Sequence, residues 1–169
     1  MNFDKAFEIL IGHEGGYTDR RADPGNWTGG KVGVGTLKGT KYGIAANSYP
    51  NLDIKNLTLA EAKAIYKRDY WDKARCDELP QELAFHVFDM VVNSGASRGI
   101  KLLQKTVGTK EDGLIGPATL AAVKKLNPFD AVLIYNANRI QFYTSLSTFG
   151  TFGKGWMNRV ANNLKMGIG

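Results

Sequence analysis

The chain has few of the residues that build disulfides and metal sites. Of its 169 residues, one is cysteine and two are histidine. An internal disulfide is therefore excluded, and a zinc site built from Cys or His is not expected. The lone thiol, Cys76, stands between Arg75 and Asp77 in what reads as a surface turn, which favours an inert side chain over a nucleophile. We expect neither a metal nor a cofactor.

Long hydrophobic runs are also missing. No stretch approaches the roughly 18 apolar residues of a membrane span. The start, Met1–Lys5, has neither the basic nor the apolar region of a secretory signal. We therefore expect no signal peptide and no transmembrane segment, and a protein that is made in the cytoplasm and needs another route to any target outside it.

Acidic residues are outnumbered by basic ones, 16 against 22, which gives a net charge of +6. A basic surface favours polyanionic partners such as nucleic acid, cell-wall polymers or anionic lipid. The cations are scattered along the chain, whereas groove-binding proteins concentrate them on one element, so nucleic acid is disfavoured as a partner.

What the sequence does contain is helical periodicity, on a length that suits one domain. Residues 3–13 carry apolar side chains at helical spacing, Thr58 and Glu61 form a capping box, and Pro117 suits a first helical position. Further helix starts are expected at Pro80, at Ser97 as a capping residue, at Asn127-Pro128, and after a link that contains Gly150, Gly153 and Gly155.

Glycine is concentrated in the stretch after the first predicted helix, which therefore cannot be one continuous helix. Val32 and Val34 alternate with glycines, and Gly43 lies between Tyr42 and Ile44. Both patterns fit either short strands of a hairpin or a long ordered loop. The predicted fold class is mainly α, with a small N-terminal β or loop lobe.

Two carboxylates in this region suit hydrolysis of a glycosidic bond. Glu14 lies at the end of the apolar first helix, and Asp23 follows nine positions later in a polar loop. Such hydrolysis needs one carboxyl group that is protonated and donates to the leaving oxygen, and a second that stays ionised. Apolar surroundings would raise the pKa of Glu14 and suit it to the first role. Spacing alone nevertheless favours a solvated helix end and a turn former, because acidic pairs at such a distance are common.

The order of several motifs resembles a known enzyme family. Glu14–Tyr17, Asp23–Gly25 and Gly39–Ile44 resemble the N-terminal signature of glycoside hydrolase family 108. That family comprises lysozyme-type N-acetylmuramidases found among phage endolysins. The second half resembles the predicted peptidoglycan domain that accompanies it, in Phe88–Gly95, Leu103-Gln104 and Asp112–Leu120. The resemblance covers nearly the whole chain. It implies a single lysozyme-like catalytic domain over 1–169, in which a helical bundle lobe and the small lobe form a cleft. Residues 1–78 are then the catalytic segment, and 79–169 the peptidoglycan-domain-like segment.

The resemblance also implies roles for individual residues. Glu14 matches the general acid, and Asp23 matches the second acidic position, which with a threonine would orient water for inversion at the bond between N-acetylmuramic acid and N-acetylglucosamine. A short distance between the carboxyl groups would instead allow a covalent retaining route. Two threonines compete for the third role. Thr28 keeps the short distance from Asp23, whereas Thr40 keeps the Thr-x-Tyr-Gly-Ile context, and we choose Thr40 because that context determines a strand register.

Further side chains are candidates for binding the glycan. Tyr17 and Tyr42 flank the site in sequence, and aromatic faces stack well on sugars; packing of the small lobe is an equal alternative. Asp89 and Asn93 lie one turn apart in an otherwise apolar predicted helix. Lining of the sugar cleft is predicted for Asn93, while hydrogen bonding to the front loop is the favoured role of Asp89.

The implied partners are peptidoglycan glycan strands and a holin that releases a monomeric endolysin from the host cytoplasm to the cell wall, with no nucleic acid. The last predicted helix carries Lys154, Arg159 and Lys165, which suit an anionic outer-membrane surface or simply a solvated basic face. Two rival functions stay open. One is a lytic transglycosylase, which needs a single acid/base glutamate, and the other is a non-catalytic cell-wall-binding or secretion-assisting protein.

Overall fold

A computed structural model describes residues 1–12 and 15–166, and the chain divides into two compact units. The N-terminal unit is Asp4–Arg68, and the C-terminal unit is Met1–Phe3 together with Asp69–Gly169. Within the described residues, no helix is both long enough and apolar enough to cross a membrane.

The described residues are mainly helical, with one small sheet. They form seven α-helices: α1 Phe3–Ile11, α2 Leu59–Tyr66, α3 Gln81–Ser94, α4 Ala96–Val107, α5 Pro117–Lys125, α6 Pro128–Thr144 and α7 Phe149–Met166. The sheet is an antiparallel pair, β1 Thr40–Lys41 and β2 Ile44–Ala45. The mainly α class with a small β part, expected from the sequence, is confirmed.

The core of the C-terminal unit is built around α3, which packs against α4 and α6, while α7 packs against α6. The inner face of α3 is fully buried at Leu83, Val87 and Met90. Burying each such side chain stabilises the fold by roughly 1.5–3 kcal/mol. The helices approach closely at Gly99 of α4, where an added Cβ would lie 2.5 Å from a methyl group of Val91. A larger residue there would force α3 and α4 apart.

Several predicted helix starts are confirmed by their caps. The Thr58 hydroxyl accepts from the Glu61 amide, and the Glu61 carboxylate accepts from the Thr58 amide, which completes the capping box. Pro117 occupies the first turn of α5. Asn127 caps α6 by accepting from the amides of Phe129 and Asp130. These caps are encoded within four residues of sequence, which explains why they are readable without the fold.

Three local predictions are wrong. Ser97 does not cap a helix, because α4 already begins at Ala96 after Gly95, without a side-chain cap. The Gly150–Gly155 stretch is not a link but part of α7, and Gly153 is buried so tightly that an added Cβ would lie 2.5 Å from the Phe149 ring. Cys76 is buried rather than on a surface turn. In each case tertiary packing outweighs local propensity.

Candidate functional site

The β-hairpin positions Thr40. Its two-residue loop is Tyr42-Gly43, with positive φ angles of 51° and 74°, as a tight hairpin turn requires. The Tyr66 hydroxyl donates to the Tyr42 carbonyl at 2.9 Å, and it also occupies the space that a side chain at position 43 would need. On its other side Thr40 exchanges two backbone hydrogen bonds with Thr18, at 2.8 and 2.9 Å. The Thr40 backbone is therefore held from both sides.

Asp23 lies at the start of a 3₁₀ turn, Pro24–Asn26, and its side chain is exposed. Its Oδ1 accepts from the Gly25 amide at 2.8 Å, so the carboxylate is oriented by the turn it caps. Within residues 1–12 and 15–166, its second oxygen has no hydrogen-bond partner. The geometry thus presents an oriented carboxylate with one oxygen available to solvent.

Asn26 connects the Asp23 turn to the strand of Thr40. Its side chain is 0% exposed, and its Oδ1 accepts from the Thr40 hydroxyl at 2.7 Å while its Nδ2 donates to the Arg20 carbonyl at 3.0 Å. Its own carbonyl accepts from the amides of Lys38 and Gly39, both at 3.0 Å. Sequence reasoning missed this residue, because an asparagine after Asp-Pro-Gly looks like an exposed turn former.

Thr28, the rival of Thr40, closes a different loop. Its Oγ1 accepts from the Thr36 amide at 2.8 Å, and the Gly29 amide donates to the Val34 carbonyl at 3.1 Å. Val32 and Val34 lie in this closed loop at 56% and 48% exposure and belong to no strand. The ordered-loop alternative is therefore correct for this pair.

Tyr17 and Tyr42 are both half-buried in the N-terminal unit. The Tyr17 hydroxyl donates to the Lys38 carbonyl at 3.2 Å, and its ring covers Gly39, where an added Cβ would lie 2.6 Å from it. Partial burial, followed by the carboxylates of Asp19 and Asp53, raises the pKa of the Tyr17 phenol. The Tyr42 ring lies beside Gly15, whose added Cβ would be 3.3 Å from it.

Glu14, together with His13, lies outside the described residues. In the N-terminal unit the structure brings Asp23 and Thr40 into one hydrogen-bonded assembly through Asn26. Asn93 belongs to the C-terminal unit, where its Oδ1 accepts from the hydroxyls of Tyr143 and Ser94.

Asp89 is the centre of a buried ion-pair cluster in the C-terminal unit. Its carboxylate accepts hydrogen bonds from Arg139 Nη2 at 2.6 Å, Arg159 Nη2 at 2.8 Å and Asn163 Nδ2 at 2.7 Å. Burial alone would raise its pKa, but the hydrogen bonds from Arg159 and the charges of Arg139 and Arg159 outweigh burial, so the pKa of Asp89 is lowered. The predicted hydrogen bond from Asp89 to the front loop is wrong, because the side chains that donate to Asp89 belong to α6 and α7. Arg159 is likewise not part of a solvated basic face.

The chain matches two protein families and a solved structure. Residues 7–95 match the family described as Glycosyl hydrolase 108, and residues 98–161 match the family described as Predicted Peptidoglycan domain. The solved structure titled "Structure of Brucella abortus SagA" is 34% identical, with a TM-score of 0.82, over 98% of this chain and 93% of that chain. A search of curated proteins finds no match.

The fold and these matches define a glycoside hydrolase with an accompanying peptidoglycan domain. The chain belongs to the glycosyl hydrolase 108 family, whose match covers more than half of it. The family resemblance noted in the sequence is thereby confirmed, and peptidoglycan is the partner that the second match supports.

Proposed function

We propose that the protein is a muramidase of the lysozyme type, which hydrolyses the β-1,4 bond between N-acetylmuramic acid and N-acetylglucosamine. Glu14 acts as the general acid, and Asp23 with Thr40 orients the attacking water. Family membership supports the reaction class. The observation that carries the residue assignment is buried Asn26, which accepts from the Thr40 hydroxyl and belongs to the turn that Asp23 caps.

The proposed chemistry gives each of these groups one role. The Glu14 carboxyl donates its proton to the leaving glycosidic oxygen. Water adds to the anomeric carbon from the opposite face and gives its proton to the Asp23 carboxylate, so the sugar configuration is inverted. The Thr40 hydroxyl donates its proton to Asn26 Oδ1. The lone pairs of Thr40 Oγ1 can then accept a hydrogen bond from that water.

The same reasoning favours Thr40 over Thr28. The Thr28 oxygen accepts from the Thr36 amide and closes its own loop, whereas Thr40 is bonded to the assembly that contains the Asp23 turn. Tyr42 beside Gly15, one residue from Glu14, is the aromatic side chain we place against the sugar, together with Tyr17. In the C-terminal unit we propose that Asn93, oriented by Tyr143, contributes its amide nitrogen to glycan binding.

Digestion of purified peptidoglycan, with mass spectrometry of the products, tests the reaction. Hydrolysis yields reducing muramic acid ends, and Glu14→Gln is expected to lower the rate by about 10²–10⁴-fold. Products with 1,6-anhydro-muramic ends would establish the transglycosylase instead. Equal rates of hydrolysis by wild type and Glu14→Gln would show that Glu14 is not the general acid, whereas no hydrolysis by wild type would favour a non-catalytic wall-binding or secretion-assisting protein.

Matched threonine variants test the third site residue. Thr40→Val keeps the side-chain shape but removes the hydroxyl, and it is expected to slow hydrolysis, while Thr40→Ser retains most activity. Thr28→Val is the control for loop closure and should leave the rate nearly unchanged. A larger loss in Thr28→Val than in Thr40→Val would reverse the assignment. Proton NMR of the first anomer released distinguishes inversion from retention.

For delivery we propose the endolysin route, in which a monomer waits in the host cytoplasm until a phage holin opens the membrane. This proposal rests on the family resemblance. Expression in a Gram-negative host should leave cells intact until the inner membrane is permeabilised, and then lyse them. Lysis without permeabilisation would contradict it, and sedimentation analysis would reveal any stable dimer.

A further inference from the structure

A row of exposed cations follows one face of α4. Arg98, Lys101 and Lys105 are spaced three and four residues apart, so they lie on the same side of the helix. Two neighbouring clefts of the C-terminal unit open along this row, with volumes of about 680 and 430 Å³. Both are lined by Arg98 and Lys101, and together they are called the basic groove here.

The charge of the basic groove is strongly one-sided. Lys73 lines the larger cleft and Lys105 the smaller one, in addition to the two shared cations, and Glu111 is the single acidic side chain in either lining. In the part of the chain that the structure describes, none of the three lysines forms an ion pair. The groove therefore holds cations that the protein itself does not neutralise.

Apolar and rigid elements accompany these cations. The Arg98 guanidinium lies 5.3 Å from the centre of the Phe142 ring, a cation–π contact that restrains its orientation. Leu114, at 74% exposure, lines the larger cleft beside Ile115. A matching ligand carries several carboxylates separated by short aliphatic segments. Volumes of this size suit a short peptide.

We propose that the basic groove binds the stem peptide of peptidoglycan through its free carboxylates. This inference rests on the proposed function and deepens it, because it assigns substrate recognition to the C-terminal unit. The sugar backbone of peptidoglycan offers neutral hydroxyl and acetamido groups, whereas its stem peptides carry the carboxylates that lysine and arginine bind by charge-assisted hydrogen bonds. Most of the lining lies within residues 98–161, which match the predicted peptidoglycan domain.

The groove thereby anchors the strand by its peptides, while the N-terminal unit carries the residues proposed for bond cleavage. Peptidoglycan that retains its stems, with several carboxylates on each, should bind more tightly than glycan from which an amidase has removed them, which keeps only the lactyl carboxylate that the cleavage exposes on each muramic acid. This preference for stem-bearing peptidoglycan is electrostatic, so it should weaken with added salt.

Titration of the full-length protein with an N-acetylated stem tetrapeptide, followed by NMR and calorimetry, tests the proposal. The double variant Lys101→Glu/Lys105→Glu should weaken binding by about tenfold or more, while the exposed Lys154→Glu, outside the groove, should bind as wild type does. Unchanged thermal unfolding verifies that the variants fold. No binding by wild type, or equal binding by the double variant, overturns the proposal.

Two further probes separate carboxylate recognition from apolar contact and from membrane attraction. A tetrapeptide with amidated carboxylates should lose binding to wild type by about tenfold or more, and equal affinity for the amidated form would contradict the inference. Vesicles containing phosphatidylglycerol test an anionic membrane instead; vesicle binding that requires Lys101 and Lys105, without binding of the tetrapeptide, overturns the proposal in favour of a lipid surface.

The outcome is distinguishable from a failure of the proposed function. If tetrapeptide binding is lost in the double variant while stem-free glycan is still hydrolysed at the wild-type rate, both proposals stand. If wild type binds the tetrapeptide but hydrolyses no peptidoglycan, the muramidase proposal fails and the groove remains. If it hydrolyses peptidoglycan but does not bind the tetrapeptide, only the groove is refuted.

Discussion

Acidification should destabilise the C-terminal unit through His86, which is 1% exposed on α3. Asn136 Nδ2 lies 3.1 Å from His86 Nδ1 and also donates to the Val132 carbonyl at 2.8 Å, which identifies it as the amide nitrogen. The imidazole Nδ1 is therefore an acceptor, and the ring is neutral. Burial and then the charge of Arg139 lower the pKa of His86 to about 4.

The sign of the effect follows from linkage. In an unfolded chain His86 titrates near 6.5, so between pH 6.5 and about 4 the unfolded state binds more protons than the folded one. Stability therefore falls as the pH falls through this window. The gap between the two pKa values amounts to about 3 kcal/mol of stability when complete, and most of this is lost by about pH 4.5. The pKa of Asp89 is lowered, so its contribution is present above the unfolded value near 3.9 and is lost only below it.

Urea unfolding followed by tryptophan fluorescence, at about pH 7 and about pH 4.5, measures this loss. His13→Gln as a background makes His86 the only histidine, and His86→Leu in that background provides the reference. Surface carboxylates contribute equally to both proteins, so the difference between their pH dependences isolates His86. Identical pH dependences, or an NMR titration of the His86 ring with a midpoint near 6.5, would refute the reasoning.

Four other substitutions have effects that the contacts determine. Asp89→Ala leaves the fully buried Arg139 without its counter-ion and should lower the free energy of unfolding by about 3–5 kcal/mol. Arg159 has a side chain that is 35% exposed, so Arg159→Ala should have a smaller effect in the same urea titration. A larger loss of stability in Arg159→Ala than in Asp89→Ala would contradict this. Gly43→Ala places a side chain at a positive φ angle and against a tyrosine hydroxyl, so thermal unfolding should reveal a loss of roughly 1–3 kcal/mol, and an unchanged melting temperature would argue against the turn. Asn26→Ala removes both side-chain hydrogen bonds of this buried residue and should lower the free energy of unfolding by about 2–4 kcal/mol. It should also slow peptidoglycan hydrolysis, and full activity in this variant would disprove the role of Asn26 in positioning Thr40.

Features that depend on near neighbours can be read from the sequence. The capping box at Thr58 and the cap at Asn127 involve residues within four positions of each other. Gly43, between Tyr42 and Ile44, indicated either a hairpin or an ordered loop, and the pairing of β1 with β2 in the structure decides for the hairpin. The order of Glu14, Asp23 and the later motifs was sufficient for the family, because motif spacing is itself a property of the chain.

Long-range partners, by contrast, emerge only when the chain is folded. Asp89 meets Arg139 and Arg159 across 50 and 70 positions, and no local pattern states which helices will pack together. Asn26 is buried because Thr40, 14 positions later, returns to it. Local spacing encodes caps and turns within one or two helical turns, whereas burial and charge pairing depend on the closing of the whole fold, and this is why the assembly around Asp23 could be read only from the structure.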